Sequence, residues 1–332
     1  MNLEAEEEIL IDVNELAKDY DYYQVSGISI SPDNKKMAFG VDTLSRRIYT
    51  IKVKDLGTGK MYPDKIHGVN SYTTWASDSK TMFYTGKDEQ TLRSDKIFRH
   101  TLGESQDDDT LVYEEKDETF STYVYPSKSR EYIMIGSTST MATEYRFLSS
   151  KTPLESFKVL QKRERGLEYS PSHVGDMFYI STNIDESTNF KLVKTPITST
   201  EKSNWRDVIP HREDVLIEDT DFFNDFMVIG ERSNGLLKIR IKSWDGKEDY
   251  YLNLSSQFDF ENDTYSASIG YNPNFQTNFL RYSYTSLTTP YSVIDYNLIT
   301  KDEEVQKQQE VLGGSFNSKN YTSERVFATA HD

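Results

Sequence analysis

One local pattern recurs six times along the chain: an apolar or alternating strand, a turn rich in Pro, Asn, Asp and Ser, and a second strand. The first copy spans residues 27–40 and turns at Pro32, Asp33 and Asn34. The copies open near residues 25, 69, 119, 166, 214 and 264, so neighbouring openings are 44 to 50 residues apart. A period of about 47 residues leaves room for about four strands in each copy, which is typical of β-propeller blades.

A helical repeat of similar length is the main alternative, but it needs apolar residues that recur about every 3.6 positions. The sequence shows no such stripes, and only one short helix is predicted, near residues 13–18. Alternating strands at 47–53 and 237–241, and fourth strands at 110–113 and 157–160, complete the blades. A further apolar stretch at residues 9–13 is interpreted as the outer strand of a blade whose other strands are missing.

The predicted fold is therefore all-β. It is a seven-bladed-type β-propeller of four-stranded antiparallel blades, N-terminally truncated, with six full blades plus one orphan strand. We expect an N-terminal segment with the remnant strand at residues 1–24, the blades at 25–310, and a connecting segment at 311–332.

Composition excludes several functional classes. The 332 residues contain no Cys, so disulfides, thiolate metal sites and a cysteine nucleophile are excluded. With 54 acidic and 38 basic side chains the net charge is −16, which disfavours nucleic acid and attracts cationic ligands. No apolar run is long enough for a membrane helix. The acidic start of the chain is unlike a signal peptide, so we expect a cytoplasmic protein, with a periplasmic location left open if a signal precedes it.

The sequence itself offers no catalytic centre, no metal site and no cofactor motif. The nearest match to the Gly-x-Ser-x-Gly nucleophile elbow, at residues 313–317, ends in Asn317. The five histidines lack a metal-ligand spacing. The acidic run at 107–109 lacks the alternating ligands of a calcium loop and is interpreted as a solvated loop.

Several segments closely resemble the propeller domain of oligopeptidase B, in the prolyl oligopeptidase family of serine peptidases. The resemblance extends from about residue 8 to residue 332 and includes the segments 44–49, 92–100, 111–120, 163–169, 209–216, 282–290 and 320–325. It implies a parent protein in which the propeller limits access of short peptides to a C-terminal α/β-hydrolase domain with a Ser-Asp-His triad. The segment 311–332 would then lead into that domain, and this chain alone would be inactive.

The geometry of four-stranded blades predicts which loops meet that domain. Loops between second and third strands emerge on the same face as the segments that cross from one blade to the next. Charged residues of both signs lie in these loops, and we expect them to form salt bridges that hold or release the hydrolase domain. The interdomain candidates are Arg46, Arg47, Arg163, Glu164, Arg165, Arg212 and Glu213.

Two positions depart from the family pattern near the expected substrate. Asn70 stands where the family often has an acidic residue that faces a basic substrate side chain, and Ile184 stands where relatives can have arginine. The resemblance implies cleavage after Arg or Lys, and Asn70 removes one charge that would support it. The expected partners are therefore the hydrolase domain and short basic peptides. A stand-alone interaction scaffold is the alternative function, and a glycosidase-like propeller hydrolase is a third.

Overall fold

The computed structural model describes residues 6–254 and 264–331. These residues form one short helix, α1 (Val13–Leu16), and 23 strands. In chain order the strands are β1 (Gln24–Ile30), β2 (Lys36–Asp42), β3 (Tyr49–Asp55), β4 (Met61–Trp75), β5 (Thr81–Lys87), β6 (Ser94–Thr101), β7 (Thr110–Glu114), β8 (Ser121–Pro126), β9 (Tyr132–Thr138), β10 (Thr143–Ser149), β11 (Lys158–Gln161), β12 (Tyr169–Val174), β13 (Met177–Thr182), β14 (Lys191–Pro196), β15 (Arg206–Ile209), β16 (Val215–Phe222), β17 (Phe226–Ser233), β18 (Leu236–Ser243), β19 (Asp249–Tyr251), β20 (Tyr265–Ile269), β21 (Phe279–Ser286), β22 (Ser292–Asn297) and β23 (Glu303–Gln308).

The strands form antiparallel sheets in sequence order. Four sheets have four strands each, and β1 to β7 form one sheet of seven because β4 is shared. The first half of β4 pairs with β3, as in Ile51↔Ile66, and its second half pairs with β5, as in Thr73↔Tyr84. The described residues thus contain six four-stranded units, which confirms the predicted all-β repeat. We number them blades 1 to 6, and blades 1 and 2 share β4.

The chain divides into two compact units. Unit 1 comprises the described residues up to Tyr169 together with 200–202, and unit 2 comprises 170–199, 203–254 and 264–331. In unit 1 the middle strand β5 buries consecutive residues, because its two faces pack against different cores. Tyr84 packs in a cluster with Ile51 and Trp75, whereas Phe83 packs with Ile133 and Ile135. This two-sided burial explains why β5 is apolar without alternation.

Unit 2 has corresponding cores. One joins blades 5 and 6 through Val228, Ile239, Leu280 and Ile294, and another joins blades 4 and 5 through a cluster that includes Ile229. The middle strand β17 again supplies successive residues to two cores, Val228 to the first and Ile229 to the second. The repeat therefore positions its loops on packed, apolar sheets.

The predicted orphan strand at residues 9–13 is wrong. Residues 6–12 have no strand, and α1 begins at Val13. The Asp12 side chain accepts a hydrogen bond from the Glu15 backbone N–H, which caps the helix and ends the extended run. Ile11 packs against the face of β2 formed by Met37, Phe39 and Val41. The predicted short helix is confirmed, although it is shorter than residues 13–18.

The segment after β23 has only one 3₁₀ turn, Ser318–Asn320, in its described part. Its Arg325 guanidinium donates a hydrogen bond of 2.6 Å to the Asn234 carbonyl, which lies between β17 and β18. In the described residues no helix is long and apolar enough to cross a bilayer.

Candidate functional site

In each unit the candidate site consists of two sets of loops. We use "crossing surface" for the loops between second and third strands, together with the segments that connect one blade to the next. In unit 1 these are residues 43–48, 88–93 and 139–142 and the crossings 115–120 and 162–168; in unit 2 they are 183–190, 234–235 and 287–291 and the crossing 210–214.

Hydrogen bonds join these loops to the neighbouring crossings, as the predicted blade geometry requires. In unit 1 Arg93 donates to the carbonyls of Glu115, Asp117 and Phe120, and the Gly166 N–H donates to the Met141 carbonyl. In unit 2 Asn189 Nδ2 donates to the carbonyls at 212 and 213 at 3.1 and 2.7 Å. Arg93 is not among the predicted site residues, although it lies within one of the segments that carry the family resemblance.

Arg163 is held by two glutamates of unit 1. Its guanidinium lies 2.5 Å from a carboxylate oxygen of Glu115 and 3.3 Å from one of Glu144. It also covers the Phe120 ring, with 3.9 Å between Cζ and the ring centre. Arg163 therefore ties its own crossing to the previous one and to β10.

Electrostatics support this clamp. Burial raises the pKa of Glu115, but hydrogen bonds from Arg163 and Tyr113 outweigh it and hold the pKa below its ordinary value. Glu115 is only 4% exposed, so removal of Arg163 would leave a buried charge without its cation.

Arg212 occupies a comparable position in unit 2. It donates two hydrogen bonds, of 2.6 and 3.2 Å, to Glu231 on β17, and the Tyr251 hydroxyl donates a third of 2.6 Å. The Glu231 side chain is 1% exposed. Burial raises the pKa of Glu231, but the hydrogen bonds from Arg212 and Tyr251 outweigh burial, so the net pKa lies below the ordinary value.

The remaining interdomain candidates of unit 1 are exposed. Arg46 and Arg47 lie in the loop between β2 and β3, whose shape is set by Asp42 through hydrogen bonds to the backbone N–H groups of Leu44 and Arg47. Arg165 is also exposed, and Glu164 pairs with Lys202 at 2.5 Å. Within the described ranges, the three guanidinium groups of Arg46, Arg47 and Arg165 have no ion pair.

In unit 2 Glu213 is exposed, and its backbone carbonyl accepts the hydrogen bond from Asn189. Ile184 is half-buried in the loop between β13 and β14, where its N–H donates to Thr182 Oγ1 at 3.2 Å. In unit 1 Asn70 is half-buried on β4, and its side-chain oxygen accepts a hydrogen bond from the Ser71 N–H at 2.9 Å. Roles of these residues towards a substrate or a second domain stay predictions.

Aliphatic side chains also project from the crossing surface. In unit 1 Leu44 is 74% exposed and Met141 is 53% exposed, and both lie at loops that carry or contact the free arginines. In unit 2 Leu287 is 85% exposed. In unit 1 the crossing surface thus combines exposed apolar side chains with cationic groups, a combination that is typical of protein-binding surfaces.

The fold and this surface define a β-propeller module. Residues 1–309 match the family model described as the N-terminal β-propeller domain of prolyl oligopeptidase. The chain belongs to this family, as the sequence resemblance predicted.

Two curated relatives show the extent of the match. Dipeptidyl aminopeptidase BI of Pseudoxanthomonas mexicana is 39% identical over 328 residues, which cover 99% of this chain and 44% of that protein. Protease 2 of Moraxella lacunata is 28% identical, with 98% of this chain and 46% of the relative covered. The chain thus spans less than half the length of these relatives.

Solved structures agree. Oligopeptidase B from Leishmania major superposes with a TM-score of 0.87 at 28% identity, over 98% of this chain and 46% of that one. Oligopeptidase B from Trypanosoma brucei, in a closed form with covalently bound antipain, gives a TM-score of 0.82 at 27% identity, over 95% and 44%.

Proposed function

We propose that this chain is the gating and substrate-filtering propeller of an oligopeptidase B-like serine endopeptidase that cleaves short peptides after Arg or Lys. Its partner is a C-terminal α/β-hydrolase domain that docks on the crossing surface. The observation that carries the proposal is that exposed apolar side chains on that surface lie close to arginines that form no ion pair within the described residues.

Exposed apolar residues that occur singly are ordinary. In unit 1, however, Leu44 shares its loop with Arg46 and Arg47, and the Met141 carbonyl is hydrogen-bonded to the residue after Arg165. A docked domain would bury the aliphatic groups, and carboxylates on it would pair with the guanidinium groups. Arg163 and Arg212 are already paired with Glu115 and Glu231, so they support the surface from within.

The terminal segments support the same partner. Ile9 is 75% exposed, and Val326 and Phe327 are 79% and 78% exposed. Relatives of the chain are more than twice as long as the matched region, so their additional residues are available to cover such side chains.

The preference for basic substrates is supported by charge. The net charge of −16 produces a field that attracts cationic peptides and weakens as salt is added. Asn70 can accept a hydrogen bond from a guanidinium but supplies no charge. We therefore assign the preference to the overall field more than to residue 70.

Internally quenched peptides with Arg, Lys or Pro before the cleaved bond would test specificity in the full-length protein. Faster cleavage after Arg and Lys supports the proposal, and a preference for Pro contradicts it. Because one relative is named a dipeptidyl aminopeptidase, each peptide is compared with free and blocked amino termini. Loss of cleavage when the amino terminus is blocked would indicate an aminopeptidase and would contradict the endopeptidase assignment.

The filtering role has a separate test. A series of unstructured substrates of increasing length, and a folded protein with exposed Arg and Lys, are compared at equal concentration. Cleavage that falls with substrate size supports filtering, whereas equal cleavage of the folded protein contradicts it. Absence of a hydrolase sequence after residue 332 in the gene would favour the stand-alone scaffold.

A further inference from the structure

A buried histidine bridges two buried aspartates in unit 1. His100 lies on β6, with Nε2 at 3.0 Å from Asp64 Oδ1 and Nδ1 at 2.7 Å from Asp109 Oδ1. The three side chains are 1–3% exposed. Asp64 lies on the first half of β4, in blade 1, and Asp109 immediately precedes β7, in blade 2. One imidazole therefore joins carboxylates from two blades.

At this histidine the loop between β6 and β7 is attached to strand β4. The loop between β6 and β7, residues 102–109, lies on β4. Its Gly103 N–H donates to Asp64 Oδ1 at 2.5 Å. Its Gln106 side chain accepts from the His67 N–H at 2.9 Å and donates to the His67 carbonyl at 3.0 Å. His100 is thus one of three attachments, and the only one that changes charge near neutral pH.

The two aspartates depend on His100 for positive charge. The Tyr84 hydroxyl on β5 donates to Asp109 Oδ2 at 2.7 Å, but Asp64 Oδ2 is buried without a hydrogen-bond partner. Within residues 6–254 and 264–331, neither aspartate forms an ion pair with Lys or Arg. Buried carboxylates need a cation and hydrogen bonds to offset the loss of water. A neutral imidazole donates only one hydrogen, so its second nitrogen would present a lone pair to a carboxylate.

The titration of the group is consistent with this geometry. Burial lowers the pKa of His100, but hydrogen bonds to Asp109 and Asp64 and the charges of both aspartates outweigh it and raise the pKa above 6.5. Burial and the bond to Asp109 raise the pKa of Tyr84, so the tyrosine remains a neutral donor.

We propose that Asp64, His100 and Asp109 form a proton-dependent lock, which holds the loop 102–109 on β4 while the imidazole is protonated. Because the folded-state pKa is raised, the stabilisation is complete below the unfolded value of 6.5 and is lost as pH rises through the folded value. β4 continues from Asp64 to Asn70, so the lock acts on the strand that carries this predicted substrate-proximal residue. The inference does not depend on the proposed peptidase function.

Hydrogen exchange measured by mass spectrometry between about pH 5 and pH 9, corrected for the intrinsic rate, tests the lock. In the intact chain, exchange of the segments 61–70 and 102–110 should increase with pH. Each pH unit between the unfolded and folded pKa values raises the opening equilibrium constant by up to about tenfold. His100→Gln should show the open level of exchange at every pH. His67→Gln is the control, because among the described residues the His67 ring is hydrogen-bonded to the Thr50 hydroxyl alone.

Persistence of the pH dependence in His100→Gln would overturn the proposal. A second measurement covers the case in which this variant does not fold: NMR titration of the His100 ring in the unmodified chain. The lock requires a pKa above 6.5, and a value at or below 6.5 would also overturn it.

Discussion

The guanidinium of Arg163 lies 2.5 Å from the carboxylate of Glu115, a residue 48 positions earlier in the chain. This pair joins two successive blade crossings, and Arg163 also covers the Phe120 ring. In unit 2 the crossing residue Arg212 pairs instead with Glu231, which lies on strand β17. Two of the arginines selected as interdomain contacts are therefore engaged inside the propeller, whereas Arg46, Arg47 and Arg165 remain exposed.

Arg163→Met should destabilise the chain by about 3 kcal/mol, because it leaves Glu115 buried without its cation. Arg165→Met, two residues further on, should change stability by less than about 0.5 kcal/mol, because its side chain is exposed. Urea unfolding of both variants measures the difference. Equal effects would show that the Glu115 contact contributes little.

A double-mutant cycle isolates the pair itself. Glu115→Gln removes the buried charge, so its combination with Arg163→Met should be less destabilising than the sum of the two single changes by at least about 1 kcal/mol. Strict additivity would contradict an interaction between the two side chains. The cycle also separates the ion pair from the contact with Phe120, since Arg163→Met loses that contact with or without Glu115.

Glu231 should contribute to acid unfolding. Its net pKa is lowered, because the donors Arg212, Tyr251 and Arg240 outweigh burial. The stabilisation is therefore complete above the unfolded value of 4.5 and is lost as pH falls through the folded value. Glu231→Gln should reduce the slope of unfolding free energy against pH in the acid range. Exposed Glu213→Gln is the control, and an equal slope in both variants would contradict this role.

Gly40→Ala should destabilise blade 1 by about 1–3 kcal/mol through overpacking. A Cβ atom at this position would lie 2.7 Å from the Cα atom of Ser71, so backbone would have to move. Gly57→Ala is a matched control in a turn of the same sheet, where the nearest atom would be 3.6 Å away. The thermal midpoints of the two variants are compared. A tolerated Gly40→Ala would mean that β2 and β4 separate easily.

Charge reversal at Arg46, Arg47 and Arg165 tests the docking surface in the full-length protein. Under the proposed function, the triple change to Glu should lower peptidase activity and reverse or flatten its salt dependence, because like charges would then face each other. Lys35→Glu, in the exposed turn between β1 and β2, should alter neither. Unchanged activity and salt dependence in the triple variant would contradict docking through these residues.

Asn70→Asp introduces the acidic residue that the resemblance to oligopeptidase B implies at this position. It should raise kcat/KM for substrates with Arg before the cleaved bond by about tenfold relative to uncharged ones, which corresponds to about 1.4 kcal/mol. The ratio of the two substrates is the measurement. An unchanged ratio would place Asn70 away from the basic side chain of the substrate.

Much of the fold was predictable from local patterns. Strand alternation, turn residues and the period of about 47 residues located all six blades, since each depends on neighbours within one hairpin. Local patterns predicted a strand wrongly at residues 9–13, because apolar content alone does not make a strand. Asp12 caps a helix there, and Ile11 packs against the face of β2.

The candidate site was predictable only as a set of loops. Arg163 and Arg165 are two residues apart and equally charged, yet one is clamped by Glu115 and the other is exposed. The acidic run at 107–109 has the sequence pattern of a solvated loop, but Asp109 is buried against His100. The sequence determined the blade repeat because hydrogen bonding and alternation are local. The tertiary structure decided which charges are paired, because those partners come from blades whose register and packing bring distant residues together.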